Sequence, residues 1–114
     1  PELSNLFKQK ENQPSVDEIK QRLLYIQALE TAKCYEENVL TDVRDADIGA
    51  ILGWGMAPWT GGPLSMIDMI GAKEFVAEAD RLAQKYGQRF APCKMLRDMA
   101  EKGETFHPKS GKAA

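Results

Sequence analysis

The sequence predicts an all-α domain of about five helices, and three observations carry that prediction. Apolar residues recur at helical spacing, no apolar β-branched run of strand length occurs, and capping residues, prolines and glycines fall at the ends of the periodic stretches. The chain has 114 residues and a mass of 12.7 kDa, room for one such domain. At that size about two thirds of the unfolded surface can be buried, so the core needs neither disulfides nor a metal.

Taken in order, residues 1–14 are polar, with Leu3, Leu6 and Phe7 as the only apolar anchors. They read as a linker or docking arm. Ser15 opens a helix with a capping box: its hydroxyl accepts from the Glu18 N–H, and the Glu18 carboxylate reaches back to the Ser15 N–H. That helix spans residues 16–39, with Asn38 as its stop, and is the central helix. At about 100° per residue it is apolar on two sides. Val16, Ile19, Leu23, Ile26 and Cys34 form one stripe; Leu24, Tyr25, Ala28, Leu29, Ala32, Tyr35 and Val39 form a wider one. A helix apolar on two sides is expected to be sandwiched. Thr41 or Asp42 caps a second, short helix that uses Ala46, Ile48, Ile51 and Leu52 and stops at Gly53 and Gly55. Pro63 suits the first turn of a third helix, which ends at Gly71. Phe75, Ala79, Leu82, Ala83 and Tyr86 mark a fourth helix, closed by Gly87. Pro92 opens a last helix with Leu96, Met99 and Ala100 inward, and Asp98 and Lys102 form an i,i+4 pair on its outside. The domain therefore covers residues 15–106, followed by a flexible tail at 107–114.

Composition narrows the function classes. The net charge is −2 and the pI about 5.4, with no dense Lys/Arg cluster, which argues against nucleic acid or an anionic membrane as the main partner. No apolar run approaches a membrane span, and the first residues lack a signal-peptide layout. Cys34 and Cys93 lack metal-motif spacing and read as two free thiols of a cytoplasmic protein. A complete nucleotide-binding fold needs more chain than this, and the single histidine, His107, sits in the tail.

The most unusual stretch is Gly53-Trp54-Gly55-Met56-Ala57-Pro58-Trp59-Thr60-Gly61-Gly62-Pro63. One reading is a phosphate cradle backed by the helix from Pro63, but it has neither the preceding strand nor the lysine of a phosphate loop. The favoured reading is a tight helix–helix connection in which Gly53, Gly55, Pro58, Gly61, Gly62 and Pro63 set the backbone path. Glu30 falls inside the first apolar stripe, so it is either a base tuned by burial or, as favoured, a buried acid holding N–H groups of the glycine loop. Cys93, at a helix start, has the position of a low-pKa thiol but no histidine partner. Trp54, Trp59, Met66 and Met69 are candidate interface residues.

Several of these stretches together resemble a known family. Ile19-Lys20-Gln21-Arg22-Leu23-Leu24-Tyr25 and Leu29-Glu30-Thr31-Ala32-Lys33-Cys34-Tyr35-Glu36-Glu37 are followed by Asp45-Ala46-Asp47-Ile48-Gly49, the glycine loop, and Ile67-Asp68-Met69-Ile70-Gly71. This order is similar to the C-terminal domain of 3-hydroxyacyl-CoA dehydrogenase. Lys85-Tyr86-Gly87-Gln88-Arg89-Phe90-Ala91-Pro92 and Gly103-Glu104-Thr105-Phe106 resemble the end of the second such domain, which closes the α-subunit of multifunctional fatty-acid β-oxidation enzymes. The resemblance covers residues 15–106.

It implies an oxidoreductase whose other parts lie elsewhere. In that family an enoyl-CoA hydratase region comes first, then a Rossmann domain that binds NAD and carries a His–Glu pair. A first helical copy then supplies an Asn from an Asn-Arg pair. Here the matching dipeptide is Gln21-Arg22, so the resemblance assigns no catalytic, cofactor-binding or metal-binding residue to this chain. Its implied partners are the first helical copy and the Rossmann domain of the same polypeptide, with acyl-CoA in the full enzyme. A homodimer of the chain alone, through the Trp54–Trp59 loop, Met66 and Met69, or less directly the stripe around Tyr25 and Leu29, would substitute for the missing neighbour. The alternatives are an independent helical dimerisation or scaffold module, and a free-standing binder of a phosphate-bearing ligand.

Overall fold

The computed structural model describes residues 10–108 together with Leu3, Leu6 and Phe7. Among the described residues there are five α-helices and no strand. They are α1 (Val16–Glu36), α2 (Val43–Trp54), α3 (Pro63–Ile70), α4 (Ala72–Tyr86) and α5 (Lys94–Lys102), with 3-10 turns at Pro58–Thr60 and Gln88–Phe90. Residues 109–114, the greater part of the expected tail, lie outside the described residues, as do Pro1, Glu2, Ser4, Asn5, Lys8 and Gln9.

The helix starts and stops follow local chemistry. The Ser15 hydroxyl accepts from the Glu18 N–H at 3.2 Å, and Asp42 accepts from the Arg44 N–H at 2.8 Å. Asn38 takes a left-handed φ of 59° and turns the chain out of α1, where the Val39 N–H closes on the Cys34 carbonyl. Gly55 (φ 80°) and Gly103 (φ 68°) do the same for α2 and α5. The capping box at Ser15 is only half formed. The Glu18 carboxylate turns away from the backbone and accepts from Arg81 of α4 at 3.1 and 3.3 Å and from the Tyr86 hydroxyl at 3.2 Å. A guanidinium is a stronger donor than a backbone amide. At the start of α5 Cys93 offers no capping bond; Glu36, from the end of α1, accepts the Met95 N–H at 2.7 Å instead. The outside of α5 is tied by Arg97 to Asp80 of α4 at 2.7 Å; the expected pair between Asp98 and Lys102 is not formed.

The core lies between α1, α3, α4 and α5. Tyr25, Ala28, Leu29 and Ala32 of α1 are buried against Leu64 and Ile67 of α3, Phe75, Ala79 and Leu82 of α4, and Leu96 of α5. Tyr25 stacks on Phe75 with ring centroids 4.5 Å apart, and burial pushes its phenol up from the ordinary value. The stripe around Tyr25 and Leu29 is thus core, not interface. The other stripe is open: Val16 is 66 %, Ile19 41 % and Leu23 58 % exposed. α1 is a wall of the domain, not a helix enclosed on both sides as its pattern suggested. α2 also differs from its pattern. It buries Ala46, Asp47 and Ala50 and leaves Ile48 and Leu52 exposed.

The Glu18–Arg81 contact couples stability to pH. Hydrogen bonding from Arg81, foremost, holds the Glu18 carboxyl below its ordinary value of 4.5, against a smaller opposing effect of burial. Because its folded value is depressed, its contribution is present above the unfolded value and is lost as pH falls through the folded one. The gap in melting temperature between wild type and Glu18→Gln is therefore expected to shrink as the pH is lowered from about 6 to about 3. A gap independent of pH in thermal melts would contradict this.

Candidate functional site

The polar centre of the molecule is Asp47, whose neighbours are set by the glycine loop. Gly55 ends α2, Met56 drops into the core, and the Pro58–Thr60 turn is closed by the Thr60 hydroxyl donating to the Ala57 carbonyl at 2.7 Å. The same hydroxyl accepts the Gly62 N–H at 3.1 Å. Gly61 and Gly62 follow with φ of 74° and 111°, and Pro63 begins α3. Gly62 lies directly against α2. A β-carbon there would overlap the Asp47 side chain and come within 2.6 Å of its Cα. Only glycine permits this approach, and it brings the start of α3 onto the Asp47 carboxylate.

That carboxylate is buried and fully used. Oδ1 accepts from the Leu64 N–H at 2.8 Å, and Oδ2 accepts from the Ser65 N–H at 3.2 Å and the Ser65 hydroxyl at 2.6 Å. The His107 ring nitrogen Nε2 sits 2.6 Å from Oδ2. Neither Gly61 nor Gly62 supplies a capping side chain to α3, so its free N–H groups and positive dipole end are satisfied by an acid from the neighbouring helix. His107, placed in the tail by its sequence position, is held by a second acid. Asp68 accepts from the N–H groups of Phe106 and His107, each at 2.8 Å, while the Phe106 ring meets Tyr35 edge-on at 5.9 Å. The segment Thr105–His107 is therefore a clasp over α1, α2 and α3.

The geometry limits what this cluster can do. Ser65, Asp47 and His107 are the residue types of a hydrolytic triad, but the order of contacts is wrong. The serine and the histidine both bind Oδ2 of the aspartate, whereas a nucleophile requires serine on histidine and histidine on aspartate. The phosphate-cradle reading also fails, because the N–H groups of Leu64 and Ser65 that would face an anion already face Asp47. Among the described residues no group of three or more His, Cys, Asp or Glu is placed to hold a metal ion.

The acid that holds the glycine loop is thus Asp47, not Glu30. Glu30 is exposed and makes no hydrogen bond to the loop, because the stripe that contains it faces outward. Gly53 lies within α2 and does not stop it, because the helix runs on to Trp54, and Gly55 caps it; a side chain at either would meet nothing, whereas Gly61 and Gly62 are tightly approached and form the turn with Pro58 and Pro63. Trp54, Trp59 and Met69 are 60 %, 72 % and 65 % exposed, whereas Met66 is buried in the core and leaves the set of interface candidates. Trp54 donates its indole N–H to Gln27 at 3.2 Å. It borders an apolar groove of about 390 Å³ lined by Gln27, Glu30, Thr31, Cys34, Val39 and Leu40. A second, shallower cavity of about 550 Å³ lies between α4 and α5, where Arg97 is already paired with Asp80. Both cysteines are free; burial pushes the Cys93 thiol up, opposite to the lowering a helix start would give. A scan against protein-family models finds no match to this chain.

Two measurements check the role of Asp47. Asp47→Ala leaves the N–H groups of Leu64 and Ser65 without their acceptor, at about 1–3 kcal/mol for each buried donor, while Glu30→Leu, on the surface, is expected to stay within about 0.5 kcal/mol of wild type. Gly62→Ala is expected to destabilise the fold as well, since both its φ and the space at Asp47 oppose a side chain. Denaturant titrations that rank Glu30→Leu as more damaging than Asp47→Ala would reverse the assignment.

Proposed function

We propose that this chain is the C-terminal helical domain of an NAD-dependent 3-hydroxyacyl-CoA dehydrogenase of fatty-acid β-oxidation, and that it braces the catalytic half of that enzyme. The observation that carries the reading is the way its motif residues interlock. Asp47, the glycine loop, Pro63 and Asp68 occur in the order the resemblance requires; the first three meet at one buried junction at the start of α3, and Asp68 is joined to it through Phe106 and His107. Residues that serve packing in this way suit a bracing role. The glycine-led start of α3 does not fit the pyrophosphate of NAD, because the Asp47 carboxylate occupies its N–H groups. Nucleotide binding and acyl-CoA chemistry therefore belong to the Rossmann domain and the first helical copy. Gln21, half-buried on α1 where the family's first copy carries its Asn, takes no catalytic part.

No helix among the described residues is long and apolar enough to cross a membrane. With two free thiols, the reading places the enzyme in the cytoplasm. The surface offered to the homologous helical domain is the exposed set Trp54, Trp59 and Met69, aromatic and methionine side chains of the kind that anchor interfaces. The same exposure favours a second reading, an independent module that pairs with its own copy.

The purified chain is expected to form no NADH from a 3-hydroxyacyl-CoA. It is expected to bind a dehydrogenase of this family truncated before its last helical domain, with a Kd of about 1 μM or below, and to lose that binding in the double variant Trp59→Ser, Met69→Ser. NADH formation by the chain alone would overturn the bracing role. A concentration-dependent dimer in sedimentation, without binding to the truncated enzyme, would favour the dimerisation module.

A further inference from the structure

The groove beside Trp54 is walled by side chains whose polar atoms are already engaged. The Thr31 hydroxyl donates to the Gln27 carbonyl at 2.8 Å, and the Gln27 side-chain amide donates to the Leu23 carbonyl at 2.9 Å. The amide oxygen of Gln27 accepts the Trp54 indole N–H at 3.2 Å. Val39, Leu40 and the Cys34 thiol complete the wall apart from one residue. That residue is Glu30, which is exposed and, among the described residues, pairs with no Lys, Arg or His. Lys33, three positions further along α1, does not close on it. An apolar groove of about 390 Å³ thus carries a single uncommitted charge, and that charge is negative.

We infer that this groove binds an amphiphilic ammonium, a small molecule with one cationic nitrogen and a hydrocarbon body of about eight carbons. The free Glu30 carboxylate selects a cation, since an anionic headgroup placed there meets a like charge. Trp54 adds a second preference of the same sign. An indole face attracts an alkylammonium, and the N–H bond to Gln27 holds this ring at the groove instead of leaving it to swing into solvent. The walls keep no free donor stronger than a thiol, so a carboxylate or phosphate loses its hydration there without compensation. Size decides the body. The volume lies at the lower end for small-molecule sites and has room for roughly a dozen groups the size of a water molecule. That is more than the side chain of a docked lysine fills, and it suits an eight-carbon chain with its nitrogen. The groove is made by α1, the turn that follows it and the last residue of α2, so the site stands whether or not the chain belongs to a dehydrogenase.

Octylammonium, octanol and octanoate share that body and differ in the charge at its end. In the full chain carrying Trp59→Phe, Trp54 is the only tryptophan left to report on the groove. Titrations followed by its emission are expected to show saturable octylammonium binding with a Kd of about 1 mM or below. The affinity should be several-fold tighter than for octanol and about ten-fold tighter than for octanoate. Backbone amide shifts are expected to centre on Thr31, Cys34 and Leu40. Glu30→Gln, a surface change, is expected to weaken octylammonium several-fold and leave octanol where it was, and added salt should narrow the same gap. Equal affinity for the three ligands, ammonium binding unmoved by Glu30→Gln, shifts centred elsewhere, or no saturation up to about 10 mM would overturn the inference.

Discussion

A single buried carboxylate sets the geometry of the domain. Asp47 sits on α2 but serves α3, whose first residues provide no cap of their own. A charge in that position is tolerable only when surrounded by donors, and three elements supply them: the backbone of Leu64, the backbone and hydroxyl of Ser65, and the imidazole of His107. The rest follows from satisfying it. Gly62 has to lack a side chain to let α3 close on the acid, the loop turns through positive φ at Gly55, Gly61 and Gly62, and α2 turns two of its aliphatic residues, Ile48 and Leu52, toward solvent. Hydrogen bonds to a charged acceptor contribute about 1.5–3 kcal/mol each, enough to outweigh the outward exposure of two aliphatic side chains.

A comparable arrangement recurs at α5. Cys93 is no cap, and Glu36 reaches across from the end of α1 to take the Met95 N–H. Of the three helices that start without a side-chain cap of their own, α3 and α5 borrow a carboxylate from a neighbouring helix, which ties each to that neighbour. The Arg81–Glu18 contact works in the opposite sense, drawing a carboxylate away from its own helix end toward another. The domain is thus held by acids that act between helices as much as by its apolar core.

This explains which features were legible in the sequence. All-helical class, helix order, the Ser15 and Asp42 caps, the Asn38 stop and the inner stripe of α4 are local signals, and each is found where its residues placed it. The site required knowledge of which elements meet. A buried acid does hold the glycine loop, but the angular position of Glu30 on α1 does not reveal which side of that helix is buried, and the side that carries Glu30 faces outward. Nothing in the spacing of Ala46, Ile48, Ile51 and Leu52 marks Asp47, between the first two, as buried. Its neighbour Gly62 carried a usable signal, since a Gly-Gly-Pro start leaves a helix without a cap and calls for an acceptor elsewhere. His107 could not be placed, because its partners lie 39 and 60 residues away in sequence.

Those separations also set an order of events during folding. Asp47 and Leu64 are 17 residues apart, so α2, the glycine loop and α3 close a short loop and can assemble as a unit early. The clasp has to bring together residues 60 apart on the same carboxylate, and that closure is rewarded only once α2 and α3 already present Asp47 and Asp68 to it. The last turn of chain to fasten is then the first to let go. In native-state hydrogen exchange such a segment forms its own low-energy opening unit, with the amides of Phe106 and His107 exchanging well before those of Leu64 and Ser65, although all four donate to aspartates at the same junction.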